Sequence, residues 1–255
     1  MAMIRKFVAA AVSAAALVMT IPVAHADMTQ EQVQELLTEL KGIHAALDKM
    51  ALPAAAAAAQ QPQEPVSDKV TMAMPPNAYE LGKKNAPLVM IEYTDLQCPF
   101  CQQFHNTAFN QIKTNFIDTG KLLYVSRDFP LDFHPWARPA AIAARCAGDQ
   151  GKFWEMRNAL QTNADKLSKE MIAQQGKDLG LDMKKFQSCA DSDFYTADIN
   201  KQVAEGTAAG VSGTPSFVLG KIENGQLDGV RLVGAMPYTD FETKIKDMLA
   251  AAPAK

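Results

Sequence analysis

Residues 88–104 read LVMIEYTDLQCPFCQQF. The first six form an apolar run broken only by Glu92, and the turn-prone Asn85-Ala86-Pro87 stands before them. A buried strand is expected over Leu88–Tyr93. From Pro99 to about Phe116 the pattern turns helical, with Phe104, Ala108, Phe109, Ile112 and Phe116 on one side. Cys98 and Cys101 lie at the join. Pro99 suits a first helical turn, because its missing N–H costs nothing there and its φ is already helical. Cys98 then stands at a helix N-terminus, facing unpaired N–H groups and the positive end of the dipole. Such a setting, with a second thiol beside it, lowers a cysteine pKa by about one to several units from ~8.5. Since the thiolate is the nucleophile, Cys98 is the expected attacking group. Cys101, one turn on and nearer the interior, is the expected resolving thiol that releases a mixed disulfide.

A metal site is the competing reading of the two thiols. Closed zinc sites take four ligands, and no second CxxC or clustered Cys/His motif accompanies this one. The four histidines, His25, His44, His105 and His134, are scattered. Copper(I), satisfied by two thiolates, stays open. Redox chemistry without a cofactor or a dedicated metal is preferred in this strand-to-helix context.

Working outward, the first 26 residues have the layout of a secretory signal peptide. Arg5 and Lys6 precede an apolar run from Phe7 to Ile21, and Ala24-His25-Ala26 offers a small-x-small cleavage site. The run is shorter than the ~20 residues of a membrane span. The expected product is soluble and periplasmic. Cleavage takes two of the 25 positive charges and none of the 28 negative ones, moving the formal net charge from −3 to −5. A mildly acidic chain has no electrostatic reason to bind nucleic acid or an anionic membrane.

Residues 27–52 are expected to form a helical arm. Val33, Leu36, Leu40, Ile43, Leu47 and Met50 follow a 3-4-3-4-3 spacing over residues 28–50, the a/d pattern of a coiled coil. Residues 53–69, with Pro53, Ala54–Ala59, Gln60, Gln61, Pro62 and Pro65, look like a spacer. An apolar seam carried away from the main body is best buried against other copies of the chain, so a homo-oligomer is expected. The body, residues 70–255, continues with a strand at Leu122–Val125. A helical block follows at about 131–208, then strands Ser216–Leu219 and Val230–Val233 around Asn224-Gly225, and a final helix Tyr238–Ala250. The order β-α-β, helical block, β-β-α fits one α/β domain with an all-helical insertion.

With CPFC after a strand, the helical block, and Gly213-Thr214-Pro215-Ser216-Phe217 opening a later strand, residues 75–250 resemble the thioredoxin fold. More narrowly they resemble the DsbA-like group of exported thiol–disulfide oxidoreductases. The resemblance implies a cis Thr214-Pro215 bond beside Cys98, presenting backbone to a substrate strand. It also places a buried acid at Glu92, where a carboxylate with a raised pKa would accept the Cys101 proton.

Cys146 and Cys189, both in the helical block, have no reactive motif around them. In an oxidising compartment a structural disulfide is preferred to two buried free thiols. Phe129-Pro130-Leu131 and His134-Pro135-Trp136 are read as domain-junction packing, with Trp136 able to line a peptide groove.

The Pro-Phe dipeptide differs from the Pro-His of the family's strongest oxidants, and Thr before the proline is more typical of its exported isomerases. The function expected from the resemblance and the arm is therefore a protein disulfide isomerase built by oligomerisation. Its partners would be exported proteins with cysteines and a DsbD-like or DsbB-like membrane redox protein. The alternatives are a dithiol oxidase recharged by a membrane partner, and a copper-binding redox chaperone; the helical arm also resembles that of oligomeric DsbA-like proteins linked to copper stress.

Overall fold

A computed structural model describes residues 29–59, 68–76 and 78–251, with the side chains of residues 45–59 outside the description. The leader reading of residues 1–26 lies outside the described residues, as do residues 60–67 of the expected spacer. The chain divides at Pro65–Val66 into two compact units.

Among its described residues the first unit contains one helix, α1 (Gln30–Ala59). It runs through Pro53, so seven residues expected in the spacer are helical; the alanine run has the highest helix propensity of any residue type. Val33, Leu36, Leu37, Leu40 and Ile43 are all exposed on it. Leu47 and Met50, the last two positions of the a/d pattern, fall among the side chains not described.

The second unit is built on a six-stranded sheet. Its strands are β1 (Lys69–Ala73), β2 (Tyr79–Leu81), β3 (Leu88–Thr94), β4 (Leu122–Asp128), β5 (Ser216–Glu223) and β6 (Gln226–Val233). Their order is β1-β6-β5-β3-β4-β2. Only β3 and β4 run parallel, as a β-α-β crossover demands, and the remaining pairs are antiparallel. Asn224 and Gly225 join β5 to β6 with φ of 53° and 79°, the left-handed geometry of a tight hairpin. The crossover from β3 to β4 is a continuous helical run. It comprises α2 (Pro99–Phe104), a π-helical turn His105–Phe109, α3 (Asn110–Ile112) and a second π-helical turn Lys113–Ile117. The insertion between β4 and β5 carries α4 (Ala137–Gly148), α5 (Phe153–Thr162), α6 (Lys169–Asp178), α7 (Met183–Ala190) and α8 (Thr196–Ala208), and α9 (Tyr238–Ala250) closes the chain.

Strand side chains alternate between faces, and this sorts the core. Leu88, Met90, Leu122, Tyr124, Phe217 and Leu219 face Phe104, Ile112, Phe116, Phe241 and Ile245 of the crossover helix and α9. Val89, Ile91, Tyr93, Val125 and Val218 form the opposite face with Ala209 and Val211. The insertion has its own core around Ala140, Ala144, Met156, Leu160, Ile172 and Phe186. Glu92 shares the face of Leu88 and Met90, so the alternation drives its carboxylate under α2. Among the described residues, no helix is long and apolar enough to cross a membrane.

Candidate active site

Cys98 is the N-cap of α2 and Pro99 its first helical residue. The Cys98 N–H donates to the Asp95 carbonyl at 3.1 Å, and the Cys98 carbonyl accepts from Gln102 N–H at 3.0 Å. Both thiols are free and buried, whereas Phe100 between them is exposed.

The Thr214-Pro215 peptide bond is cis. The Thr214 carbonyl lies 3.4 Å from the Cys98 Sγ, whose S–H donates to it. The Thr214 hydroxyl is buried and has no hydrogen-bond partner among the described residues. The Pro215 carbonyl accepts the Gly234 N–H at 2.8 Å, which ties this loop to the end of β6.

The two thiols are electrostatically split. Cys98 is lowered to about 6. A hydrogen bond from the Cys101 thiol is the largest cause; burial opposes it, and Thr214 with the backbone N–H groups of Cys101 and Phe100 adds to it. Cys101 is pushed well above the ordinary thiol range, first by burial, then by its bond and proximity to Cys98, then by the charge of Glu92.

Glu92 is wholly buried. Its Oε2 accepts from the Arg157 Nη2 at 2.5 Å and from the Tyr124 hydroxyl, while Oε1 has no hydrogen-bond partner among the described residues. Arg157 reaches it from α5, so the helical insertion supplies the cation for the acid under α2. His105, one turn beyond Cys101, is buried and stacked on Phe109. Burial first, and the nearby Arg157 second, lower its pKa to about 4, so its imidazole is neutral.

The fold therefore gathers Cys98, Cys101, Glu92, Thr214 and Pro215 at one place. Cys146 and Cys189 lie elsewhere, joined as a disulfide between α4 and α7 of the insertion. Trp136 is partly buried against the insertion core. Its backbone N–H donates to the Gln97 Oε1 at 2.6 Å. Sequence reasoning missed Arg157 and Tyr124. A buried acid in a strand does call for a cation, but nothing local to Glu92 says which.

The thioredoxin family matches residues 75–230. This chain belongs to the thioredoxin family. The chain is also 31% identical to a putative protein-disulfide oxidoreductase of Rickettsia typhi, over 73% of this chain and 71% of that one. It is 34% identical to a Na(+)/H(+) antiporter of Mycolicibacterium gilvum over 69% of this chain and 29% of the antiporter. The chain thus spans less than a third of the antiporters it matches. Among solved structures, alpha-DsbA1 of Wolbachia pipientis aligns with a TM-score of 0.63 and 26% identity, over 70% of this chain and 94% of that one. BdbD of Bacillus subtilis, at 19% identity and a TM-score of 0.61, over 71% of this chain and 98% of that one, shares the fold. The fold is a DsbA-like thioredoxin fold with an all-helical insertion.

Proposed function

We propose that this protein is a thiol–disulfide oxidoreductase of the DsbA-like type that oxidises paired thiols in exported proteins through Cys98 and Cys101. The observation that carries this is the stabilised Cys98 thiolate. A thiolate lowered to about 6 is a good leaving group and stabilises the reduced enzyme, which makes the disulfide form a strong oxidant. In the forward reaction a substrate thiolate attacks the Cys98 sulfur of the Cys98–Cys101 disulfide. The S–S bond breaks and Cys101 leaves as a thiolate; its raised affinity for protons makes it take one up at once. A second substrate thiolate then attacks the substrate sulfur of the mixed disulfide, Cys98 leaves as thiolate, and two electrons have passed to the enzyme. The unpartnered Oε1 of Glu92 is the group that exchanges the Cys101 proton. Thr214 and Pro215 hold the substrate segment beside Cys98, and the Cys146–Cys189 bridge is structural.

A dithiol oxidase must be recharged, so a membrane partner that accepts the two electrons is part of the proposal, as are export and a periplasmic location. Equilibrating the protein with glutathione buffers tests it. A Cys98–Cys101 potential at or above about −180 mV, with rapid oxidation of a reduced cysteine peptide, supports the oxidase. A potential near about −270 mV would sink it.

The exposed a/d stripe of α1 (Leu36, Leu40 and Ile43) favours a second reading. Pairing of α1 with the same helix of other copies would set several Cys98 sites around one substrate, the arrangement an isomerase needs. Reactivation of scrambled ribonuclease by the full chain, lost when residues 28–50 are removed, would support it. Equal and weak reactivation by both would remove it.

A further inference from the structure

We propose that Asp95 and His134 act as a positioning pair for the reactive thiols, locking the loop that carries Cys98 to the segment that opens the helical insertion. The proposal rests on the reading of Cys98 and Cys101 as the reactive pair. Asp95 is buried, and its carbonyl and both carboxylate oxygens are committed to one side or the other of that seam. Its carbonyl accepts the Cys98 N–H. Its Oδ1 accepts the Gln97 N–H at 2.7 Å, holding the turn into α2. Its Oδ2 faces the other way, accepting the Leu131 N–H at 2.9 Å and lying 2.7 Å from the His134 Nδ1.

Two further bonds run parallel to these, Phe129 N–H to the Thr94 carbonyl at 2.8 Å and Trp136 N–H to the Gln97 Oε1 at 2.6 Å. The 129–136 segment is thus zipped along residues 94–97, immediately before Cys98. His134 is the one side chain of that segment that bonds to Asp95. It also carries the exposed Phe133 ring against its own, 4.5 Å between centroids.

The consequence for chemistry follows from direction. The Cys98 thiolate is stabilised partly by the N–H groups of Phe100 and Cys101, and such bonds weaken steeply as they leave alignment. Asp95 sets where the loop places the Cys98 sulfur against those groups, and His134 sets Asp95. Neither residue touches substrate. Their effect is exerted through Cys98.

The test uses the reduced full chain, reading thiolate absorbance near 240 nm against pH. In His134→Leu the donor to Asp95 is gone, and the Cys98 midpoint should rise by about one unit. Reaction with a small disulfide at pH 6 should then slow about twofold, the about fivefold loss of thiolate being partly offset by its greater nucleophilicity. In His134→Asn the Nδ2–H stands where the Nδ1–H was, so the midpoint and rate should return to the parent values. A parent-like midpoint in His134→Leu, whatever its melting temperature, would overturn the proposal. A shift in His134→Asn as large as that in His134→Leu would do the same. If His134→Leu does not fold, His134→Ala replaces it: it also removes the donor while leaving the Asp95 charge in place, so the same rise is expected and its absence overturns the pair. A parent midpoint near 9 is a different result, since it would overturn the reading of Cys98 as the nucleophile.

Discussion

Arg157 and Glu92 meet in the interior beneath Cys101, both essentially without solvent contact, with Nη2 and Oε2 2.5 Å apart. The two come from different layers, Glu92 from the central strand β3 and Arg157 from α5 of the insertion. The pair thus fastens the insertion to the sheet at the point where Cys101 senses both charges. Desolvation of two ions offsets much of their attraction, so the pair is costly to break rather than cheap to make.

Arg157→Met should therefore destabilise the protein by about 3–5 kcal/mol, because it strands a buried carboxylate. Glu92→Gln combined with Arg157→Met should recover a large part of that loss. Urea unfolding of both singles and the double measures the coupling. Additive losses would show that the two side chains do not act as a pair.

Titrating the thiols of the reduced protein should reveal one group near 6, the value to which Cys98 is lowered. Cys98→Ser should abolish that transition and all disulfide exchange. Cys101→Ser should keep an attacking thiol yet trap mixed disulfides, which mass spectrometry would detect. Cys101→Ser should also raise the Cys98 midpoint less than Cys101→Ala, since a hydroxyl still donates to the thiolate.

The same shift makes the reduced protein's stability depend on pH. Cys98 is depressed in the folded state, to about 6 from an ordinary thiol value of 9.0. Its contribution is therefore fully present above about 9, shrinks as pH falls, and is gone below about 6. Stability of the reduced wild type relative to Cys98→Ser should rise between pH 6 and 9 by up to a few kcal/mol. Denaturant unfolding at several pH values reads this directly, and a flat difference would contradict it.

Cys146 and Cys189 close a loop across the insertion. Replacing both with alanine should cost about 2–4 kcal/mol, while the Cys98 midpoint and the rate of substrate oxidation stay near the parent values. A large change in the Cys98 midpoint would give that bridge more than a structural part.

On α1, Leu36→Asp with Leu40→Asp places charges in the exposed apolar stripe. Light scattering should show the full chain as an oligomer and this variant as a monomer. A monomeric parent would remove the α1 pairing.

Much of this protein was legible in residues close together along the chain. A strand followed by Cys98-Pro99 at a helix start is a local pattern, because helix capping, proline's fixed φ and apolar periodicity act over a few residues. The insertion was legible for the same reason, as a long helical period interrupting β-α-β and β-β-α. Short β1 and β2 went unread. They are three to five residues long and lie on the sheet edges; β1 alternates, with Val70 buried between exposed Lys69 and Thr71, but over too few residues to stand out, and all of β2 is half-buried. What only the tertiary structure decided is which distant side chains answer the buried polar groups. Arg157 stands 65 positions from Glu92 and His134 stands 39 from Asp95. Burial makes partners for those acids necessary, but the geometry with which α5 and the 129–136 segment pack on the sheet chooses them, and no local pattern in the chain records that choice.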